Sequence, residues 1–431
     1  MSKKNTFSRR AFLGTSLMGV AGLTLIPGCK TAAPSDTLRL GFIGLGRQAN
    51  FLSGSFLNIE GVKVVAGADV YGRKNERFAK KVSDFYSKKG VSSDVNTYEN
   101  YKRLLDRKDI DAVVIASPDH WHYHIAKDAL SAGKDIYLEK PLTFTIAEGQ
   151  KLVKAVREHD AILAVGSQQR SDVSFQHATK MAAGGKLGKL EKIDVFVGPN
   201  PHPTPYMEPE QELPEDLNWE MWLGPNPYLH YNELLNPSIS LDPPEDEKFW
   251  GAWRWYKETG GGLMTDWGAH MFDIAQWGLG MDNSGPVKII PGGFEGAEHL
   301  KYIYANGIEV ENKPFDGETR GVKFWGSEGW IEVSRDKFVA SDDSLKPAEV
   351  DSDIPYEARR PHHKNFIESV KAHVDPEVPV ETGHRTNTVC VLGNVAHEMG
   401  RPIEWNPETE TFKDDEAAAF MTRYYNNGYT L

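Results

Sequence analysis

The chain alternates short apolar runs with longer segments of mixed polarity from residue 37 onward. Runs that are short and apolar throughout are typical of strands buried on both faces of a sheet. The predicted strands are residues 37–44, 62–69, 112–116, 135–138 and 162–165. Helical segments are predicted at residues 98–105, 124–132 and 145–159. This alternation predicts an α/β fold with a doubly wound parallel sheet.

The first predicted strand ends in a glycine-rich turn, Gly44-Leu45-Gly46-Arg47-Gln48-Ala49. This G-x-G-x-x-A pattern stands between a strand and a helical segment, which is the arrangement that binds the pyrophosphate of a dinucleotide. The glycines let the backbone approach the phosphates closely, and the helix N-terminus attracts their negative charge. We therefore expect cofactor contacts at Gly44, Leu45, Gly46, Arg47 and Gln48.

The second predicted strand ends in an acidic residue, Asp69, which lies 23 positions beyond Gly46. A carboxylate at this point can accept hydrogen bonds from both hydroxyls of the adenosine ribose. It would also repel a 2′-phosphate, so NAD is the expected cofactor. Arg47 and Arg73 are close enough in sequence that NADP stays an alternative. Arg47 itself is either a pyrophosphate contact or a surface charge.

Polar residues follow the later strands at the points where those strands end. Ligands of doubly wound sheets bind beyond the carboxyl ends of the strands. Further candidates for cofactor binding are therefore Ser117, Pro118, His122, Glu139, Lys140 and Arg170. His122 either reaches the cleft or organises its loop, and Arg170 is a candidate contact for cofactor or substrate.

The stretch GGGLMTDWGAH, residues 260–270, places Asp266 and His270 four positions apart. On a helix this spacing brings both side chains to one face. From the residues alone, Asp266 caps a helix starting at Trp267 and His270 lies in the core, or the two form a catalytic pair, or they belong to a metal site. The sequence shows no cluster with zinc-type spacing, so no metal is expected.

Three motifs, Gly44-x-Gly46-x-x-Ala49, Glu139-Lys140-Pro141 and Asp266-x-x-x-His270, together resemble the Gfo/Idh/MocA oxidoreductases over nearly the whole chain after residue 36. The resemblance implies a Rossmann domain at residues 37–165, then an α/β domain at residues 166–431 with a large, mostly antiparallel sheet. That sheet commonly forms the oligomer interface, which implies a homo-oligomer. The resemblance also implies that Lys140, Asp266 and His270 are catalytic.

These residue types suit hydride transfer from a secondary alcohol, because the hydroxyl proton must leave with the hydride. A histidine is suited to be the general base, and Asp266 is expected to orient the imidazole of His270. Lys140 is expected to stabilise the developing alkoxide beside the nicotinamide. Pro141 disfavours a helical conformation at Lys140 and keeps it extended.

The expected function is transfer of hydride between a tightly bound nicotinamide cofactor and a hydroxyl of a sugar, glycoside or cyclitol. One alternative is an NAD-dependent glycosidase that oxidises a ring carbon transiently, eliminates, adds water and reduces again. A second alternative is a non-catalytic, lipid-anchored sugar-binding protein, against which the intact Lys140, Asp266 and His270 argue.

Tryptophan is unevenly distributed, since seven of the eleven lie between Trp219 and Trp277. Their rings suit the C–H faces of sugars, although large rings also dominate cores and interfaces. The stretch Pro199 to Phe249, rich in proline, asparagine and acidic residues, is expected to be a long insertion or a lid over the sheet.

Residues 1–36 resemble an export signal. Ser8-Arg9-Arg10-Ala11-Phe12-Leu13 is typical of a twin-arginine signal, and the apolar run after it is short for a membrane span. Ile26-Pro27-Gly28-Cys29 resembles a lipoprotein cleavage site, with ordinary cleavage nearby as the alternative. We expect a periplasmic protein that is exported with its cofactor loaded and touches the membrane only through this segment or a lipid on Cys29.

Charge and cysteine content bear on two further features, the partners of the protein and its disulfide bonds. The formal net charge of −12 argues against nucleic acid as a partner, because such surfaces need basic stripes. The two cysteines are Cys29 and Cys390, so the folded body has a single thiol and no internal disulfide.

Overall fold

The computed structural model of the protein describes residues 37–431, apart from residues 93, 244–246, 248, 316, 318, 336 and 348–360. The expected export signal and Cys29 lie outside the described residues. Within the described part of the chain, no helix is both long enough and apolar enough to cross a membrane.

A parallel sheet of six strands forms the first half of the fold. Its strands are β1 (Leu38–Ile43), β2 (Val62–Ala68), β3 (Asn96–Tyr98), β4 (Ala112–Ile115), β5 (Asp135–Leu138) and β6 (Leu163–Val165). They lie in the order β3-β2-β1-β4-β5-β6, and every neighbouring pair is parallel. The doubly wound parallel sheet predicted from the sequence is confirmed.

Helices follow these strands and cover both faces of the sheet. They are α1 (Arg47–Phe56), α2 (Gly72–Lys88), α3 (Tyr101–Leu105), α4 (His122–Ser131) and α5 (Ile146–Glu158). Side chains alternate along each strand, so Phe42 packs with Phe56 of α1 in one core, whereas Ile43 packs with Ile125 of α4 in the other. Burial on both faces explains why the strands inside the sheet are largely apolar.

Local capping decides where two of the predicted helices begin. The sequence predicts a helix from residue 98, whereas Tyr98 closes the short edge strand β3. Helix α3 begins at Tyr101 because Oδ1 of Asn100 accepts a hydrogen bond from the backbone N–H of Lys102. Helix α5 begins after Thr145, which forms a capping box with Glu148.

A mostly antiparallel sheet of nine strands forms the second half, as the resemblance implies. Its strands are β7 (Leu190–Phe196), β8 (Pro286–Ile290), β9 (Leu300–Tyr304), β10 (Glu309–Asn312), β11 (Gly321–Gly326), β12 (Gly329–Val333), β13 (Phe338–Ala340), β14 (Ile403–Asn406) and β15 (Thr411–Phe412). Their order is β13-β12-β11-β7-β10-β9-β8-β14-β15, with β7 and β10 parallel.

Helices cover one face of this second sheet. The helices after residue 170 are α6 (Val173–Ala183), α7 (Trp219–Leu223), α8 (Gly262–Asp266), α9 (Gly268–Leu279), α10 (His362–Ala372), α11 (Val380–Met399) and α12 (Asp415–Ala418). Phe175 of α6, Phe272 of α9 and Leu392 of α11 share one buried core with the sheet. Along β9 the side chains alternate, with Tyr302 buried among the helices and Ile303 half-buried on the opposite face.

Two late segments return to the first sheet. Phe366 of α10 packs against Phe56 and Tyr137, with ring centroids 6.2 Å and 5.7 Å away. Val378 and Val380 join the core on the other face of the same sheet. Residues far along the chain therefore complete the core of the nucleotide-binding half, and the boundary expected at residue 165 stays a prediction.

The segment Pro199 to Phe249, which was expected to be a long insertion or a lid over the sheet, is bonded to the chain just beyond β2. The backbone N–H of Gly72 donates to the carbonyl of Asp216, and the N–H of Asn218 donates to the carbonyl of Val70. These bonds fasten the segment to the chain just beyond β2. Trp219 and Trp222 stack 4.5 Å apart in the segment's own aromatic core.

Candidate active site

The glycine-rich turn between β1 and α1 has the geometry of a phosphate cradle. Gly44 has a φ of +80°, and a Cβ there would lie 2.6 Å from the backbone nitrogen of Ser117, so only glycine fits. Gly46 precedes the first turn of α1, and a Cβ there would meet nothing within 4 Å. The open space in front of the helix N-terminus fits a pyrophosphate.

Asp69 is fixed at the end of β2 by the same turn. Its Oδ2 accepts a hydrogen bond of 2.7 Å from the backbone N–H of Leu45, and its Oδ1 accepts one of 3.0 Å from the N–H of Tyr71. Leu45 therefore acts through its backbone, while its side chain is buried in the core. The carboxylate lines the cleft where a ribose would follow the pyrophosphate.

A cleft of about 100 Å³ runs along these residues. Its lining includes seven of the candidates from the sequence, namely Gly44, Gly46, Arg47, Gln48, Asp69, Ser117 and Pro118. The guanidinium of Arg47 lies 5.1 Å from the ring centroid of Trp250, which also lines the cleft. The glycine turn and the Asp69 carboxylate thus fit the pyrophosphate and the ribose of a dinucleotide.

Glu139 joins the nucleotide turn to the ends of the neighbouring strands. Its Oε1 accepts hydrogen bonds from Nε2 of Gln48 at 2.8 Å and from Nε2 of Gln168 at 3.1 Å. Burial raises the pKa of the Glu139 carboxyl, although Lys140 and the bonds from Gln48 and Gln168 oppose that shift. Glu139, which lines the cavity beside the cleft, therefore positions Gln48 and Gln168.

Lys140, Asp266 and His270 line one cavity of about 570 Å³. The Nζ of Lys140 donates to Oδ1 of Asp266 at 2.7 Å and to its backbone carbonyl at 3.2 Å. Gln48, Ser117 and Arg254 line both this cavity and the nucleotide cleft, so the two spaces adjoin each other. The structure brings together the three residues that the resemblance implies are catalytic.

The helix-cap interpretation of Asp266 does not hold. Asp266 is the last residue of α8, and the turn before α9 has no side-chain cap. The backbone stays nearly helical across Trp267, because its N–H donates to Leu263 and its carbonyl accepts from His270. Both side chains can therefore face the cavity, and the Asp266 carboxylate is engaged by Lys140.

The charges around Asp266 keep it ionised. Burial would raise its pKa, but the positive charges of Lys140, Arg254 and Arg320 outweigh burial, and the pKa lies below its ordinary value. The Nε of Arg254 is 3.7 Å from Oδ1 of Asp266. For Asp119, in the same cavity, burial dominates and raises the pKa to about 7.

Sequence reasoning missed four charged residues of this cavity: Asp119, Arg254, Arg320 and Arg335. The sequence does contain a feature that could have identified Arg254, because this single charged residue stands between Trp253 and Trp255. Asp119 lies shortly after β4, and no motif marks it. Arg320 and Arg335 flank strands β11 and β12, and no motif marks them.

His122 lines neither space. Its Nδ1 is 2.7 Å from the carbonyl oxygen of Pro141, and its Nε2 is 3.0 Å from that of Ser117. Burial lowers the pKa of His122 to about 4, although both carbonyls oppose the shift. Of the two alternatives from the sequence, these contacts fit the one in which His122 organises the loops behind the cleft.

Arg170 is not placed as a cofactor contact, which corrects the prediction from the sequence. Its Nε and Nη2 donate to the two carboxylate oxygens of Asp273, both at 2.8 Å. Its Nη1 and Nη2 donate to Asp282 at 2.8 Å and 2.7 Å. The guanidinium is thus buried between two carboxylates and lines neither the cleft nor the catalytic cavity.

The parallel sheet, its glycine turn and the adjoining cavity define a nucleotide-binding protein of the Rossmann class. Residues 38–167 match an oxidoreductase family with an NAD-binding Rossmann fold, and residues 205–427 match the C-terminal alpha/beta domain of the same family. The chain belongs to the Gfo/Idh/MocA family of oxidoreductases.

Individual relatives are more distant. An uncharacterized oxidoreductase, YrbE, of Bacillus subtilis is 24% identical over 374 residues, which cover 84% of this chain and 91% of that protein. Glycosyl hydrolase family 109 protein 2 of Shewanella sp. strain ANA-3 is 32% identical over 167 residues, which cover 34% of this chain and 36% of that protein.

The fold is also similar to that of a solved dehydrogenase. The crystal structure of scyllo-inositol dehydrogenase from Lactobacillus casei, with bound NAD(H) and scyllo-inositol, superimposes with a TM-score of 0.56. It is 17% identical, and the match covers 85% of this chain and 99% of that one.

Proposed function

We propose that the protein transfers hydride between a tightly bound nicotinamide cofactor and a hydroxyl group of a sugar, glycoside or cyclitol. The observation that carries this proposal is the Lys140–Asp266 pair, with its 2.7 Å bond, in a cavity that adjoins the nucleotide cleft. An ammonium group in that position can stabilise an alkoxide next to a nicotinamide. The bound cofactor, when present, accepts or supplies the hydride.

Each catalytic side chain has a separate task in this proposal. Lys140 binds the reacting oxygen, and Asp266 holds the Lys140 ammonium group in place. His270, on the first turn of α9, takes the hydroxyl proton. The sequence led us to expect that Asp266 orients the imidazole of His270, and the bond from Nζ of Lys140 to Oδ1 of Asp266 supports a further task for this carboxylate.

NAD is the proposed cofactor, with NADP as the alternative. Asp69 supports NAD because a carboxylate at this place would face the 2′ position of the ribose and disfavour a 2′-phosphate there. Tight retention is supported by three aromatic side chains that line the cleft, namely Trp222, Phe249 and Trp250.

Export by the twin-arginine route, a periplasmic location and a lipid on Cys29 remain part of the proposal, supported by the sequence of residues 1–36. A homo-oligomer formed through the second sheet is likewise proposed. Its support is the face of that sheet opposite the helices, where Ile303, Trp325 and Trp330 are only half-buried. Trp325 and Trp330 lie opposite each other on β11 and β12.

The test begins with the nucleotide. Purified protein is denatured, and the released nucleotide is identified by mass spectrometry. Intact protein is then mixed with a panel of sugars and cyclitols, and the absorbance of reduced nicotinamide is followed. Release of NAD and a substrate-dependent rise in absorbance support the proposal. A protein that neither carries nor binds a nicotinamide nucleotide would disprove it.

A second candidate is the NAD-dependent glycosidase, which the match to a glycosyl hydrolase family 109 protein favours. The two candidates differ in their products. A glycosidase releases an unoxidised sugar that carries solvent deuterium at the carbon next to the one oxidised. Accumulation of a keto-sugar without exchange excludes the glycosidase.

A further inference from the structure

The catalytic cavity carries an excess of positive charge in a protein whose formal net charge is −12. Five cationic side chains line it against three carboxyl groups. The cations are Arg47, Lys140, Arg254, Arg320 and Arg335, and the carboxyl groups are Asp119, Glu139 and Asp266. Burial raises the pKa of Asp119 and of Glu139, which reduces the negative charge that they supply.

Three of the five cations lie next to groups that have already been described. Lys140 and Arg254 both lie within ion-pair distance of Asp266. Arg47 also lines the nucleotide cleft, where it can meet the pyrophosphate. The remaining two, Arg320 and Arg335, line the catalytic cavity but not the nucleotide cleft, so the cofactor phosphates do not explain them.

Arg320 and Arg335 are gathered around one indole. The guanidinium carbon of each lies 4.5 Å from the ring centroid of Trp267. Stacking uses the face of a guanidinium and leaves its N–H donors in the plane, where they can bind an oxyanion. Arg335 also donates through Nε to Oε1 of Gln169. Among the residues that the structure describes, no carboxylate lies within ion-pair distance of Arg320.

The position of Trp267 relates this cationic pair to the reacting atoms. Trp267 stands in the chain between Asp266 and His270, and its ring meets that of His270 edge-on at 5.9 Å. The charge of Arg320 acts on Asp266, whose pKa it helps to lower. A ligand group held by Arg320 and Arg335 would therefore lie in the same cavity as a hydroxyl held by Lys140.

We propose that Arg320 and Arg335 bind an anionic group of the substrate, and that the substrate is an acidic sugar. The shared chemistry is an oxyanion on the sugar, which is either the carboxylate of a uronic acid or a sulfate ester on the ring. This inference rests on the proposed function, since it names the substrate class of the same cavity. It also explains why the basic cavity stands out from an acidic chain, because a local positive field attracts an anionic ligand.

The test compares a hexose with its uronic acid and its sulfate ester, on the holoprotein. Both kcat/KM from cofactor reduction and Kd from calorimetry are measured for each ligand. The unmodified protein is expected to favour at least one anionic ligand by about 10- to 100-fold, the size of a charge-assisted hydrogen-bonded contact. The favoured ligand identifies carboxylate or sulfate as the source of the negative charge.

Arg320→Gln is expected to collapse the ratio of anionic to neutral kcat/KM toward one. Arg320→Lys keeps the charge but loses the planar guanidinium. Its ratio of anionic to neutral kcat/KM is expected to lie between those of the unmodified protein and Arg320→Gln. Arg401→Gln is the matched control, because Arg401 pairs with Asp414 and Glu416 outside both cavities. Bound nucleotide content and the thermal unfolding midpoint show that each variant is folded.

The outcomes separate this inference from the proposed function. Two results would overturn the acidic-sugar inference and leave hydride transfer intact. One is equal kcat/KM and Kd for neutral and acidic sugars, and the other is a preference for acidic sugars that is unchanged in folded Arg320→Gln protein. If acidic sugars bind with dependence on Arg320 but never reduce the cofactor, the binding site stands and the proposed function fails.

Discussion

The Nζ of Lys140 lies 2.7 Å from Oδ1 of Asp266, although the two residues are 126 positions apart in the chain. Lys140 follows β5 of the parallel sheet, whereas Asp266 ends α8 in the second half of the chain. The side chains are 15% and 18% exposed, so the pair is largely shielded from water while still reachable by a ligand. The candidate site therefore exists only where the two halves of the fold meet.

Loss of the Lys140 ammonium group should slow the chemical step more than it weakens cofactor binding. For Lys140→Gln we expect the rate of cofactor reduction in a single turnover to fall by about 10²- to 10³-fold, the cost of removing one donor to a developing oxyanion. Stopped-flow absorbance measures the rate. Lys127→Gln, at an exposed position on α4, serves as the control, and an unchanged rate in Lys140→Gln would contradict the assigned role.

Asp69 should govern nucleotide affinity. In Asp69→Asn the amide can accept a hydrogen bond from the N–H of Leu45 or of Tyr71, but its NH₂ group then faces the other donor. We expect the Kd for NAD to rise by about 10- to 100-fold, since hydrogen bonds to charged groups contribute roughly 1.5–3 kcal/mol. Equilibrium binding to stripped protein measures this value. Asp84→Asn on α2 is the control, and equal affinities would place the ribose elsewhere.

Arg170 should matter for stability and not for the cofactor. Arg170→Met leaves the fully buried Asp273 without its charged partner, and we expect the free energy of unfolding to fall by about 3–5 kcal/mol. Adding Asp273→Leu should recover part of that loss, because no buried charge is then left without its partner. Chemical denaturation measures both variants. A loss of NAD affinity without a loss of stability would restore Arg170 as a cofactor contact.

Asp119 should make stability depend on pH. Burial raises its folded-state pKa from 3.8 to about 7, while Lys140 and Arg254 oppose the shift. The folded protein thus holds a proton that the unfolded chain has released, so the contribution to stability is full below about pH 4 and is lost as the pH rises through about 7. Between about pH 4 and about pH 7, the free energy of unfolding of the unmodified protein should fall by about 1.4 kcal/mol per pH unit relative to that of Asp119→Asn.

Denaturant unfolding at a series of pH values checks this difference. Asp84→Asn provides the comparison, because Asp84 is half-exposed and pairs with Lys80 at the surface. If the curves for Asp119→Asn and the unmodified protein run parallel from pH 4 to 8, Asp119 does not carry the proton.

The first sheet could be predicted because its strands are buried on both faces. That burial favours apolar runs, and the run predicted at residues 112–116 matches strand β4 (Ala112–Ile115) except for its last residue. Strand β3 was missed because it is a three-residue edge strand with the polar residues Asn96 and Thr97. An edge strand needs no apolar run, so its sequence carries no such signal.

The sequence predicts which residues belong to the candidate site, but it does not predict which of them form ion pairs with each other. The glycine turn, Asp69, Lys140 and Asp266 stand out by motif and spacing. Which cation the Asp266 carboxylate meets depends on how the second half docks onto the first, and spacing along the chain says nothing about that. Arg170 was misplaced for the same reason, since Asp273 and Asp282 come from α9 and the turn after it.

The return of α10 to the first sheet has a consequence for synthesis of the protein. The strands that carry the glycine turn leave the ribosome early, but Phe366, Val378 and Val380, which complete their two cores, emerge only in the last quarter of translation. Until then, part of the apolar surface of the nascent nucleotide-binding half has nothing to cover it. A ribosome-bound fragment ending before residue 362 should therefore depend on chaperones, and the gene should tolerate a late stop codon poorly.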